Sequence, residues 1–278
     1  MNTLLKGTPV RLSERVLRVT QDNPGMFTGP GTNTYVIGSD SGPVFVLDPG
    51  EEDDAHFEAI LRAVGGREVA DVLISHTHRD HWPLAPRVAE HTGAEIRAFS
   101  EQPPFTAGPR LEDDFRLSAG GTTLVALHTP GHASDHLCFL LEEERAVFTA
   151  DLVMGWSTSI IAPPDGNLNQ YMASLERLLE LGQGGIDILY PGHGESIEPP
   201  LERIREIRRH RQQRTDQALE AIAAGVATIP EMVERIYTDV DPKLHGAAAF
   251  SLRAHLDALV EGGKVKETEP GRYEAGPS

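Results

Sequence analysis

The chain has 278 residues, 39% of them hydrophobic and 24% charged, a balance that supports a packed core and excludes the disordered and fibrous classes. Its 25 Lys and Arg face 42 Asp and Glu, a formal net charge of −17; that field disfavours a nucleic-acid backbone as partner unless a local basic patch overrides it. The single cysteine, Cys138, excludes an internal disulfide and reads as a small buried thiol, no stretch reaches the roughly 20 apolar residues needed to cross a bilayer, and the start lacks the apolar segment of a signal peptide, so the address expected is the cytoplasm.

In chain order, strand-like runs at Val10 to Thr20, Asn33 to Ser39 and Pro43 to Gly50 are separated by Gly- and Pro-rich turns. The apolar spacing then changes to near 3.6 in DDAHFEAILRAVGG, a helix stopped by Gly65 and Gly66 that delivers the chain to the strand VADVLIS. A helix over Leu84 to His91 and a strand AEIRAFS follow. Between Leu117 and Val153, β-branched runs alternate with turns as a second set of strands; a helix through NQYMASLERLLEL and a strand IDILYPGHG close the region near residue 200. Strands and helices alternating in two successive halves predict sheets covered by helices. After GESIEPP come a helix LERIREIRRHRQQRTDQALEAIAAG, a helix PEMVERIY capped by Thr228, a third helix over Pro242 to Val260, and a hairpin in KVKETEPGRYEA. Helix, helix, helix and hairpin read as a winged-helix-like appendage, so the expected domains are 1–200 and 201–278. Packing on the parent domain is favoured for the appendage over nucleic-acid binding, and a homodimer contact is also open to it.

Chemistry concentrates where predicted strands have just ended. HTHRDH places His76, His78, Asp80 and His81 in one bending loop, where two imidazoles two residues apart can face one ion while the next two donors continue round to a second. His132 in TPGHASDH, Asp151 in FTADLVM and His193 in YPGHGES each follow Gly or a small residue. Five histidines and two aspartates without thiolate suit two zinc ions, with manganese or iron as substitutes, and leave room for a bridging hydroxide. The remaining histidines, His56, His91, His210, His245 and His255, lie on predicted helices or their ends, where surface or packing roles suffice; His128 and His136 flank the third motif as hydrogen-bond partners or core residues.

HTHRDH, TPGH, the isolated Asp151 after an apolar strand, and PGHG follow the order and rough spacing of the metallo-beta-lactamase superfamily, which the chain resembles, and Asp48 in VFVLDPG matches that family's first motif. NPGMFTGPGTNTYVIG, EEERAVFTADLVMG and the helix-rich tail look like the beta-lactamase-like proteins with a C-terminal winged-helix region, so the resemblance covers essentially the whole chain. It implies an αββα sandwich with metals at one edge. It further implies that His76, His78 and His132 hold one zinc, Asp80, His81 and His193 the other, with Asp151 bridging and Asp48 orienting a ligand histidine.

A hydroxide nucleophile is therefore expected, with Asp80 or Asp151 as proton shuttle. The first substrate class is a small carbonyl compound (thioester, lactone or other ester), with Met26, Phe27, Trp82 and Trp156 beside the motif loops as candidate pocket walls. The alternative is a single-strand endoribonuclease, suggested by the subgroup and by Arg205, Arg208, Arg209 and Arg211 on the arginine-rich helix, against the net charge. Promiscuous beta-lactam opening is a further alternative, placed third because the resemblance implies that dedicated lactamases usually lack the bridging carboxylate that Asp151 would supply.

Overall fold

The computed structural model describes residues 4–101, 104–238 and 241–276. A six-stranded sheet runs in sequence order through β1 (Val10–Arg11), β2 (Val16–Thr20), β3 (Asn33–Ile37), β4 (Val44–Leu47), β5 (Val69–Leu73) and β6 (Glu95–Arg97). A five-stranded sheet holds β7 (Phe115–Ala119), β8 (Thr122–His128), β9 (Leu137–Leu141), β10 (Ala146–Ala150) and β11 (Ile188–Pro191), again in sequence order. In each sheet antiparallel neighbours lead to a parallel pair joined over a helix: β4 and β5 through α1 (Asp54–Val64), β10 and β11 through α3 (Leu168–Leu181). A further helix, α2 (Ala85–Thr92), follows β5.

Alternation along the strands builds three layers of apolar contact. Tyr35, Ile37, Phe45 and Leu47 meet Leu124, Ala126, Phe139 and Phe148 between the sheets. The intervening Val36, Val44 and Val46 point the other way, onto Phe57, Ile60 and Ala63 of α1. On the far side Val125, Leu127, Cys138 and Val147 meet Tyr171, Leu175 and Leu178 of α3. Strands buried on both faces explain why these segments read as nearly continuous apolar runs. Burial also pushes the Cys138 thiol up to about 12, which makes it an inert packing residue at neutral pH. The result is an αββα sandwich.

The appendage comprises α4 (Pro200–Ala223), α5 (Ile229–Ile236), α6 (His245–Glu261) and the hairpin of β12 (Val265–Glu269) and β13 (Arg272–Ala275). Thr228 caps α5 in a reciprocal capping box with Glu231. The first half of α4 does not belong to the appendage core: Ile204 and Ile207, with Ala254 of α6, pack on the outer face of the second sheet beside α3. Ala218, Ala221 and Ile222 of the same helix enter a separate cluster with Met232, Leu252 and Tyr273.

Two predicted elements divide. The run Val10 to Thr20 breaks because the Ser13 hydroxyl accepts the backbone N–H groups of Arg15 and Val16, a turn that competes with the ladder. The helix expected over Pro242 to Val260 begins as a 3-10 turn, Pro242–Leu244, capped by Asp241. Among the described residues no helix is long and apolar enough to cross a membrane.

Candidate metal centre

Every predicted ligand lies at the same edge of the sandwich, because each follows the C-terminal end of a strand: Asp48 after β4, His76 to His81 after β5, His132 after β8, Asp151 after β10 and His193 after β11. Chain reversal there requires unusual backbone. Gly131 sits at φ 132°, and a Cβ on it would fall 2.2 Å from the Tyr171 nitrogen. Asp48 at φ 50° and Ala150 at φ 40° occupy the left-handed region without being glycine, a strain that persists only where the surroundings over-determine it.

The seven side chains form overlapping sets whose donor atoms lie within 4.8 Å of one another: His76, His78 and His132; His76, His81 and Asp151; and Asp80, His81 and His193. In the first set His78 Nδ1 stands 3.0 Å from His76 Nε2 and 2.9 Å from His132 Nε2. His132 Nδ1 donates to the Ile160 carbonyl at 2.6 Å; a carbonyl only accepts, so the proton is fixed on Nδ1 and the Nε2 lone pair faces the site. Asp48 does the same for His81, accepting from Nδ1 at 2.9 Å while its carboxylate also takes the Ser75 amide at 2.8 Å and hydroxyl at 2.6 Å.

In the last set His193 Nε2 lies 3.2 Å from Asp80 and 3.3 Å from Asp151, and His81 Nε2 lies 3.5 and 3.6 Å from the same two carboxylates. Burial works against a charged His81, but Asp80, Asp48 and Asp151 together outweigh it and raise its pKa well above the usual range. His193 rises to about 9 in the same way, with Asp151 as the main opponent of burial. Conversely, burial alone would raise Asp80 and Asp151, yet His81 and His193 hold both below the ordinary carboxylate range. His132, buried and facing His78, falls to about 4, with Asp151 opposing the shift, and is a neutral donor at pH 7.

His81 Nε2, His193 Nε2 and Asp151 Oδ1 are buried without a hydrogen-bond partner. Buried polar atoms are ordinarily paired. Three buried donor atoms that converge without a hydrogen bond, beside oriented imidazoles, fit divalent cations, which would displace the imidazolium protons, and nitrogen and carboxylate donors are the set that zinc accepts.

Several supporting residues carry no motif in the sequence. Asn33, fully buried, donates to the carbonyls of Pro191 at 3.0 Å and Gly194 at 2.8 Å and so fixes the His193 loop. His136 accepts the Asp151 amide at 3.2 Å, with its other ring nitrogen 3.0 Å from the Thr129 hydroxyl. His128 stacks on Phe99 at 3.8 Å, away from the donors. A pocket of about 340 Å³ opens beside the donors, lined by Phe27, Arg79, Ile160, Ala162 and Asp165 together with His78, Asp80, His132 and Asp151.

Two expectations are corrected. Trp82 is not a pocket wall: it packs edge-on to Phe105 at 5.1 Å and donates to the Thr77 carbonyl, inside the α1–α2 layer. Of the four arginines named on the arginine-rich helix, Arg211 is turned inward at 3% exposed, while Arg205, Arg208 and Arg209 are exposed, with Arg208 pairing with Glu176 of α3 at 3.0 Å. The apolar stripe of Ile204 and Ile207 turns Arg211 inward with it.

Comparison with known proteins agrees in both halves of the chain. The family model of the metallo-beta-lactamase superfamily matches residues 27–193, and that of the beta-lactamase associated winged helix domain matches residues 228–272. Among curated relatives, the lactamase-like protein adaB of Aspergillus niger is 31% identical over 94% of this chain and 86% of its own length. An atrochrysone carboxyl ACP thioesterase of Passalora fulva is 35% identical over 90% of this chain and 75% of its own. Among solved structures, a beta-lactamase domain protein from Burkholderia ambifaria superposes with a TM-score of 0.80 at 20% identity, covering 99% of this chain and 96% of that one.

Proposed function

The chain belongs to the metallo-beta-lactamase superfamily, and on that footing we propose that it is a two-zinc hydrolase of thioesters. His76, His78 and His132 would hold one ion and Asp80, His81 and His193 the other, with Asp151 shared between them; manganese or iron would suit the same donors. Cations bound there supply a Lewis acid for a scissile carbonyl and a water of lowered pKa. The protein's own groups do the rest. Asp80 and Asp151, carboxylates that stay ionised at neutral pH and line the pocket, would each be placed to take the proton of the attacking water. Phe27, Ile160 and Ala162 form an apolar wall that would receive the acyl group. Catalysis is assigned to residues 1–200, with residues 201–278 as the supporting appendage.

The observation that carries the substrate class is the lining of this pocket, where Phe27, Ile160 and Ala162 stand beside the donors and, apart from them, Arg79 and Asp165 are the charged groups. Such a wall suits an acyl chain, and it offers a phosphate backbone a single arginine that Asp165 offsets. The relatives named as ACP thioesterases, 34% and 35% identical, support the same class. The test is a parallel screen of zinc- and manganese-loaded protein against an acyl thioester, a lactone, a cephalosporin and single-stranded RNA. Thioester turnover should lead, and metal analysis should approach two ions per chain. Faster cutting of RNA or of the cephalosporin would overturn the substrate class, and a firm single ion under zinc saturation would overturn the dinuclear reading.

A further inference from the structure

The segment between β10 and α3, residues 152 to 161, has no regular secondary structure, yet it joins Asp151 to the carbonyl that orients His132. Its backbone oxygens are taken by side chains. The Tyr171 hydroxyl donates to the Leu152 carbonyl at 2.6 Å and the Thr149 hydroxyl to Val153 at 2.9 Å. Arg203 donates from Nε to Met154 and from Nη2 to Ser157, both at 2.8 Å. Arg211 donates to the Ser159 carbonyl, and the Ser159 hydroxyl returns to the Asp151 carbonyl. Both arginines come from α4. They share one broad side of it with Ile204 and Ile207, and eight residues of helix set them about 12 Å apart along the segment.

Arg211 is the unusual member. Its guanidinium is buried, lies 5.2 Å over the Tyr171 ring, leaves Nε without a partner, and among the described residues pairs with no carboxylate. An uncompensated buried cation is costly, and what this one holds in return is the segment and the ring that braces it. We propose that Arg203 and Arg211 are positioning residues that lock residues 152–161 and thereby set the orientation of Asp151 and His132, so that the first half of α4 is part of the metal centre's support. The proposal rests on the metal-centre reading for its consequence and not for its geometry.

The test compares Arg203→Gln, Arg211→Gln, Arg203→Lys and the solvent-exposed control Arg209→Gln with the wild type. Hydrogen exchange of the 152–161 peptide in metal-free protein reports the lock itself; both Gln variants should exchange at least tenfold faster there while β-sheet peptides do not change. Cobalt titration should show a weaker dissociation constant by roughly ten- to a hundred-fold and an altered d–d absorption band, with kcat reduced and KM little changed, and Arg203→Lys should restore part of each. Exchange, affinity and spectrum all equal to those of Arg209→Gln would overturn the proposal. Wild type that binds no cobalt would instead overturn the metal reading, and the exchange comparison would still decide the lock. If Arg211→Gln fails to fold, Arg203→Gln, at a partly exposed position, decides alone.

Discussion

Asp48 commits both carboxylate oxygens, one to the Ser75 amide and the other to the Ser75 hydroxyl and His81 Nδ1, so its role is to choose the face that His81 offers. Asp48→Asn should lower metal affinity about 10–100-fold by removing that charged acceptor, as measured by competition with a chromophoric chelator; unchanged affinity would show that His81 is oriented by something else. Asp151→Ala should release one or both metals and abolish nearly all activity, whereas His245→Ala, at the start of α6, should leave both almost unchanged. Equal effects would mean the ligands are misassigned. Gly192 gives a sharper test, because its φ is ordinary and only space is at stake. A Cβ there would lie 2.7 Å from Asp151 Oδ1 and 3.0 Å from His81 Cε1, so Gly192→Ala should lose metal while keeping the far-ultraviolet circular dichroism of the wild type.

Among the helices, α6 carries a group whose titration is coupled to stability. Burial, with Arg211, His210 and Arg214 nearby, lowers His255 from 6.5 to about 3, and its Nδ1 lies 2.8 Å from the Thr215 hydroxyl of α4. The folded state therefore binds this proton less readily than the unfolded chain. The contribution is complete above about pH 6.5 and is lost as pH falls toward 3, at up to about 1.4 kcal/mol per pH unit. Urea denaturation from pH 7 to 5 should accordingly show a steeper loss for wild type than for His255→Gln, and parallel curves would remove His255 from the acid response. The elements themselves were largely legible: the apolar, β-branched runs that became β3, β4, β8 and β10, the glycine stop of α1, the Thr228 cap. So was the gathering of the seven His and Asp side chains proposed as donors, because chemistry at strand ends has to be written in His and Asp. What could not be read were the partners that act through backbone carbonyls. Asn33, Arg203 and Arg211 reach segments far from them in sequence, and no spacing rule marks such a contact. The arginine-rich helix misled for the same reason: charge is visible in the sequence, while the direction in which Arg211 points is settled only by the apolar stripe beside it.

Across the full chain, α4 makes the two parts interdependent. A chain ending at residue 199 would expose Leu175, Leu178 and Leu189, which Ile204 and Ile207 help to cover, and each such side chain left in water forfeits about 1.5–3 kcal/mol. The shortened protein should aggregate or melt far below the full chain in a thermal scan; a soluble truncated form with wild-type metal content would show that the appendage is dispensable. Both sheets of the sandwich run as antiparallel meanders into a parallel pair, β4–β5 and β10–β11, beyond which the first sheet adds one more parallel strand, β6. In each pair the strand before the crossover helix delivers an aspartate, Asp48 or Asp151, at a left-handed turn, while the strand after it delivers a histidine, His76 or His193. In the order of their parts the halves are near-duplicates placed back to back, and an ideal duplicate would treat its two carboxylates alike. Here one is spent inward on a serine and an imidazole, and the other keeps an oxygen unclaimed. The departure from twofold equivalence at those two side chains gives this edge of the sandwich a distinct front and back, so that only one of the two aspartates, Asp151, lines the pocket.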